Sequence, residues 1–474
     1  MTSSHKAIPR NIIKNDPFGE RPTGSCFVVG LTGMGRGCLG QLSARNVYGE
    51  GESVALGIDF GTSNSAVGLL KDGLPCLVAL EDGKQTIPSA IFYDTEEDAV
   101  LFGNAAIAFY MDGCEGRLLR SLKSILGSSL VNESTEVGYK NIAFKDIIVT
   151  FVRHLKIGAE TAVGHAVDSV VMGRPVRFVD ADEQADALAQ AHLEEIARKA
   201  GFREVLFQYE PIAAALDYEQ SVQQEELALI VDIGGGTSDF SIVRVSPDRR
   251  GKADRKQDIL ANTGVHVGGT DLDLKLSLEQ VMPLFGYRTR TRSLFPGDPI
   301  LDLPPTYYRE LATWHKIVFL YNNRALQGVK NIKYHAQRQD LVDRLVRIIE
   351  RQEGHRLAGD VEAAKIALSQ QDAASIALSY VEKGLEASLR RQEFESDIAP
   401  ETASIVSKID ECLSLAGVPA SAIQTLFMTG GSTAIPRIAQ ACRQAVPAAR
   451  LVEGSRFGSV GIGLALDAGM KFGA

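Results

Sequence analysis

No run of about 18 apolar residues occurs in the chain, so no segment reads as a membrane-spanning helix. Cysteine is sparse, at positions 26, 38, 76, 114, 412 and 442. None of these forms a Cys-x-x-Cys pair or stands near a histidine at zinc spacing, which excludes a zinc module. Isolated reduced thiols in a cytoplasmic protein are the expectation. Residues 1–16 are polar, with charges of both signs, and lack the apolar stretch of a secretory leader. Positive charge is in deficit: 50 Lys and Arg face 59 Asp and Glu, a net charge of −9. Nucleic acid and anionic membrane surfaces both call for basic patches, so neither is an expected partner. Walker and kinase glycine loops, the Gly-x-Ser-x-Gly elbow and the His-Glu-x-x-His pair are all missing.

What remains is a globular composition. The chain has 474 residues, 45% hydrophobic and 23% charged. It can bury a sizeable core without staples, and its length corresponds to about three domain-sized units. Residues 1–52 stand apart as an N-terminal extension, expected to be flexible or poorly packed. Within it Gly35, Gly37 and Gly40 spell Gly-x-Gly-x-x-Gly. The segment 41–48 that follows is too short for the crossover helix a dinucleotide site needs. From residue 54 the punctuation becomes clean. Short apolar strands are expected at 54–59, 65–70, 74–80, 168–172, 205–207, 227–232, 240–245 and 425–429. Helices are expected at 180–200, 212–218 and 438–445 and through most of 301–400. The first of these should carry Leu188, Leu193, Ile196 and Ala200 along one side and end at Gly201.

One layout occurs twice. Asp59-Phe60-Gly61-Thr62-Ser63 and Asp232-Ile233-Gly234-Gly235-Gly236-Thr237-Ser238 each end an apolar strand in Asp, pass through Gly and Thr, and open a second apolar strand. Two copies at domain-scale separation point to related halves facing each other. A glycine-rich turn exposes successive N–H groups as a nest for phosphate oxygens, and Thr62 and Thr237 add hydroxyl donors. The two aspartates would repel a polyphosphate unless a divalent cation lay between. Mg2+, which takes oxygen ligands and keeps several waters, suits that place. A nucleotide with Mg2+ is therefore the expected ligand. Met428-Thr429-Gly430-Gly431-Ser432-Thr433, between a strand and a helix opening near Pro436, is a third glycine turn against which a flat ligand can lie. In isolation it is equally an ordinary strand–helix turn.

These residues resemble the actin-like ATPase superfamily, and within it the nucleotide-binding domain of the DnaK-type (seventy-kilodalton heat-shock) chaperones. Gly57-Ile58-Asp59-Phe60-Gly61-Thr62-Ser63-Asn64-Ser65 is similar to that family's first phosphate loop. Val231-Asp232-Ile233-Gly234-Gly235-Gly236-Thr237-Ser238-Asp239 is similar to its second. Tyr209-Glu210-Pro211-Ile212-Ala213-Ala214-Ala215 resembles its connecting segment, and His266-Val267-Gly268-Gly269-Thr270-Asp271 its His-x-Gly-Gly-x-Asp turn. Glu362-Ala363-Ala364-Lys365-Ile366-Ala367-Leu368-Ser369 resembles its adenosine helix, and 430–436 its adenosine loop. The matches run in family order from residue 54 to about 470. Phe207-Gln208-Tyr209-Glu210-Pro211 and Phe457-Gly458-Ser459-Val460 look most like the short YegD-like branch.

The resemblance implies an α/β protein with a two-lobed actin-like ATPase architecture, a duplicated ribonuclease-H-like fold around a central nucleotide cleft. Lobe I would span 53–224 and be completed by 454–474. Lobe II would span 225–453, with a helical subdomain at about 275–400. Asp59 and Asp232 would organise Mg2+ through its waters. Gly61, Thr62, Ser63, Gly234, Gly235, Gly236 and Thr237, with Gly268 and Gly269, would hold the phosphates. Lys123, in Leu122-Lys123-Ser124-Ile125-Leu126-Gly127, would be the catalytic lysine near the γ-phosphate. Glu210 would orient a water, and Asp232 and Thr237 would complete the catalytic set. Glu362, Lys365 and Ser369 would hold ribose and adenine, with Gly430, Gly431 and Ser432 opposite. Read alone, Lys123 is also consistent with a solvated helix charge, and Glu362 with Lys365 at i, i+3 with a surface ion pair.

There are departures from the family. Ala434 stands where the family usually has an Arg packed on adenine, and Asn64 follows the first loop in place of an aromatic or Thr. The stretch 280–345 is longer and does not follow the family pattern. The sequence ends at Ala474 without the linker, peptide-binding β-sandwich and lid of full-length relatives, so client binding is not carried over. The implied activity is slow hydrolysis of ATP to ADP as a conformational switch. Co-chaperones, nucleotide-exchange factors or clients would be its partners. An actin-like filament former, a sugar kinase of the same superfamily and a non-catalytic ATP-sensing scaffold are the rival readings.

Overall fold

The structure, a computed structural model, describes residues 13–14, 54–180, 182–252, 255–293 and 299–473. The expectations placed on 1–52, the flexible extension and its glycine motif, lie outside these residues. The exception is the two-residue strand Ile13–Lys14, which pairs antiparallel with Ala99–Phe102.

Two sheets share one plan. In the first, Ala55–Phe60 forms a hairpin with Asn64–Lys71, which continues antiparallel to Leu74–Leu77. On the other side of Ala55–Phe60 lie Ser169–Arg174 and then Glu204–Tyr209, both parallel. In the second, Glu226–Ile233 forms a hairpin with Ser238–Val245, which continues antiparallel to Ile259–Val265. Thr425–Thr429 and Arg450–Glu453 follow in parallel on the far side. Numbered within each half, both sheets read 3-2-1-4-5. Apolar residues on both faces explain the central strands: the Ala55–Phe60 and Glu226–Ile233 strands are buried nearly throughout, as strands covered on two sides must be. The duplicated order is that of the two-lobed actin-like fold.

The helices that follow the fifth strands tie the halves together. Glu210–Glu219 leaves the first sheet and packs on the hairpin of the second. Ser459–Phe472 leaves the second sheet and packs on the hairpin of the first. They cross each other through small residues. A Cβ on Gly463 would collide with the Ala213 carbonyl, so glycine is required for this approach. Ala213, Ala214, Leu464 and Ala468 share one apolar cluster there, separate from the main core of each half.

Some local expectations are corrected. Leu188 is exposed, and the buried face of Glu183–Ala200 runs through Ala189, Leu193, Ile196 and Ala200. Five residues turn a helix about 140° past a full turn, which carries position 188 away from 193. The third strand stops at Leu77 rather than at 80. Within 301–400 the helices are interrupted by a hairpin, Ala373–Ala377 with Glu386–Arg390. Its Ala, Leu and Glu are strong helix formers, but Ile376, Ala387 and Leu389 bury at alternate positions, and packing overrides propensity.

Candidate functional site

The two aspartate hairpins meet at their tips. Asp59 and Asp232 each occupy the penultimate position of their strand, one residue before the turn. A Cβ on Gly235 would collide with the Ser63 hydroxyl, and one on Gly236 would lie 2.7 Å from the Thr62 Oγ1. The turns are therefore in van der Waals contact only because Cβ atoms are missing. Among the described residues, no hydrogen bond engages the N–H groups of Thr62, Ser63, Gly235 or Gly236. The carbonyls beneath are occupied. Gly234 O accepts from Gly269 N at 2.9 Å and from Ser432 Oγ at 3.2 Å, and Gly235 O from Thr270 N at 2.8 Å. Gly430, with φ of +85°, lies so close to Ile233 that any side chain would strike its carbonyl. Donors are left free while acceptors are tied, the arrangement of an anion nest.

A cleft of about 300 Å³ opens over these turns. It is lined by Asp59, Gly61, Thr62, Ser63, Lys123, Glu210, Asp232, Gly234, Gly235, Gly236, Thr237, Gly269, Glu362, Lys365, Ser369, Gly430, Gly431 and Ser432. Of the residues assigned from sequence only Gly268 does not line it. Gly268 instead packs behind the second turn, where its Cβ would meet the Gly235 carbonyl carbon at 2.6 Å, and so shapes the cradle from below.

Lys123 is not a solvated charge. It is 7% exposed, and its Nζ donates to Glu210 Oε1 at 2.5 Å. The chain reaches this position through Ser121, a buried residue with φ of +59°, and then a 3-10 turn, Leu122–Ile125. Glu210 comes from the first residue of the Glu210–Glu219 helix. Burial, reinforced by Glu210, pushes the Asp59 carboxyl up to about 7. Burial, with Glu210, Asp239 and Asp59 adding to it, holds Asp232 well above the carboxylate range. Asp239 rises to about 7 for the same reasons, burial first and then Glu210. Burial alone would lower Lys123, but Glu210 and Asp59 overcome it and leave it raised. Four carboxylates thus press on one another around one ammonium, a donor set short of positive charge. The residues present fit a hard divalent cation. Among the described residues no group of three His, Cys, Asp or Glu converges to ligate a metal directly.

At the other end of the cleft the helix Gly354–Leu368 presents Glu362 and Lys365. They do not pair with each other. Glu362 accepts from Arg120 at 2.7 and 3.2 Å, and Lys365 contacts Asp273 at 2.7 Å and Gly269 O at 2.9 Å. Burial would raise Glu362, but Arg120 holds it below its ordinary value. Burial lifts Asp273 to about 6 against the opposing pull of Lys365.

A family model described as Hsp70 protein matches residues 55–285 and 336–473. The chain belongs to the Hsp70 family. It is similar to chaperone protein DnaK of Mycoplasmopsis agalactiae, 26% identical over 398 residues, 82% of this chain and 54% of that protein. It is also similar to chaperone protein dnaK1 of Prochlorococcus marinus, 25% identical over 446 residues, 88% of this chain and 56% of that protein. The chain spans about half the length of the curated relatives it matches. The Hsp70 match leaves 286–335 uncovered, inside the stretch whose pattern departs from the family.

Several residues in or just behind the lining of this Hsp70-family cleft have no role assigned from sequence. Arg120 lies three positions before Lys123, and its guanidinium also stacks 4.4 Å from the Trp314 ring, in the uncovered stretch. Asp273, two positions after the His-x-Gly-Gly-x-Asp turn, gave no signal of its own. Asp239, at the end of the second phosphate-loop motif, accepts from Val176 N at 2.6 Å. Ile366, Gln370, Arg456 and Phe457 also line the cleft. Asp239, Ile366 and Phe457 lie inside the motifs that carry the resemblance but have no role there, and no local pattern would have flagged Arg120, Asp273, Gln370 or Arg456.

Proposed function

We propose that the protein binds ATP with Mg2+ in this cleft and hydrolyses it slowly to ADP, as a conformational switch. The observation that carries the reading is the tip-to-tip contact of two aspartate hairpins with free N–H groups, beside a buried Lys123–Glu210 pair. The N–H groups of Thr62, Ser63, Gly235 and Gly236 would receive phosphate oxygens, with the Thr62 and Thr237 hydroxyls beside them. Asp59 and Asp232 would hold Mg2+ through water, and the ion would supply charge neutralisation at the phosphates. Water would attack the γ-phosphoryl group in line, and the bond to the β-phosphate oxygen would break. Lys123 would present fixed positive charge to the oxygens on which charge develops. Glu210, already an acceptor, would orient the water. Glu362, Lys365 and Ser369 would face the nucleoside, with Gly430, Gly431 and Ser432 opposite.

Lobes at 53–224 with 454–474, and at 225–453, belong to the same reading. Their relative rotation would signal the nucleotide state to co-chaperones, an exchange factor or clients, in the cytoplasm. Phe207–Pro211 and Phe457–Val460 support placing the chain near the YegD-like branch. Calorimetric titration of ATP with and without Mg2+, paired with a phosphate-release assay, tests the proposal. Binding that weakens markedly on Mg2+ removal, with slow but measurable phosphate release, is expected. Absence of ATP binding would remove the reading, and tight binding without release would turn it to the sensing scaffold.

A further inference from the structure

The cleft has an apolar end that the phosphate cradle does not use. Ile366 and Phe457 line it with 56% and 50% of their surfaces exposed, although both are large apolar side chains. Phe457 stands against the third glycine turn: a Cβ on Gly431 would lie 3.0 Å from its ring carbon Cε1. Ala434 and Ile435 line the same cavity, and position 434 offers it only a methyl group. Ser369 and Gln370 supply hydrogen-bonding groups from just past the end of the 354–368 helix.

We infer that Phe457 is the residue on which the purine ring of the bound nucleotide stacks, with Ile366 as a further apolar contact. The inference rests on the nucleotide reading of the cleft and adds the means by which the base is held. A nucleotide whose phosphates sit on the hairpin tips must place its base elsewhere in the same cavity. The exposed phenyl ring and the Ile366 side chain are the large apolar surfaces there. A phenyl face suits a flat, polarisable heterocycle and offers nothing to a sugar hydroxyl. Stacking uses the π-face that every base has, so Phe457 serves adenine and guanine alike, and any choice between them falls to Ser369 and Gln370.

The test is calorimetric titration of the full chain and its Phe457→Ala, Phe457→Leu and Phe457→Trp variants with MgATP, MgGTP and Mg-tripolyphosphate. Phe457→Ala should weaken both nucleotides by about tenfold, the scale of one base–aromatic stack. Phe457→Trp should restore them, and tripolyphosphate affinity should be the same in all four proteins. Because Phe457 is half exposed, its removal opens no core cavity. Undiminished ATP affinity in Phe457→Ala, wild-type affinity in Phe457→Leu, or a parallel loss of tripolyphosphate binding would each overturn the inference. Failure of the unaltered protein to bind ATP would instead remove the nucleotide reading, and this inference with it.

Discussion

Lys123 shows how much one residue depends on its surroundings. Its sequence neighbours alone are equally consistent with a solvated helix charge. The fold buries it, bends the chain through a left-handed Ser121 to aim it, and surrounds it with Glu210, Asp59, Asp232 and Asp239. Burying an ammonium is costly unless anions repay it, so its position records the field it serves. On the proposed reading Lys123 would stabilise charge that grows during reaction, so its loss should fall on the chemical step. Lys123→Ala should keep ATP binding and lower single-turnover cleavage by roughly 100- to 1,000-fold, the usual effect of deleting one charge-stabilising donor. Unchanged cleavage of radiolabelled ATP in a single-turnover assay would contradict the role. The identity of this lysine came from its place in a resemblance. Its burial and its partner could not be read locally, since Glu210 lies 87 positions away.

Among the elements, the paired helices 210–219 and 459–472 hold the most leverage. They join the two sheets and cross where only Gly463 permits contact with Ala213. A methyl group forced into a packed crossing typically costs about 1–3 kcal/mol. Gly463→Ala should therefore lower the denaturant midpoint by the equivalent of that amount. It should also alter nucleotide affinity, because Glu210 heads one of the two helices. Urea unfolding followed by circular dichroism checks the first effect and calorimetry the second. A variant as stable as the parent would show that the crossing is loosely packed. The strands of this region were legible as apolar runs ending in Asp and Gly. The crossing was not, because periodicity reports which face of a helix is apolar and not which helix meets it.

At the scale of the whole molecule the cleft is bridged. Arg120, at the end of the strand Gly116–Arg120, reaches Glu362 on the far helix, 242 positions away, and Trp314 packs on its guanidinium. The bridge holds in place the Glu362 carboxylate, which lines the cavity and would face the ribose. Arg120→Ala should speed release of a fluorescent ATP analogue by roughly fivefold, the equivalent of about 1 kcal/mol for a partly buried ion pair. Stopped-flow displacement measures it, and an unchanged rate would show that the pair does not gate the cleft. Trp314 belongs to the stretch that the family match leaves uncovered. This chain thus adds its own contact to the shared architecture.

The sequence by itself determined the two aspartate hairpins, their internal repetition and the family, because these features lie in short contiguous segments whose residue types dictate turn, strand and charge. Tertiary structure alone decided that the glycine tips touch, that Lys123 meets Glu210, that Glu362 answers Arg120 rather than Lys365, and that Phe457 stays exposed inside the cleft. Each of those depends on how distant segments are brought together. Which segments meet depends on how two whole sheets and their helices pack, and local composition does not encode that.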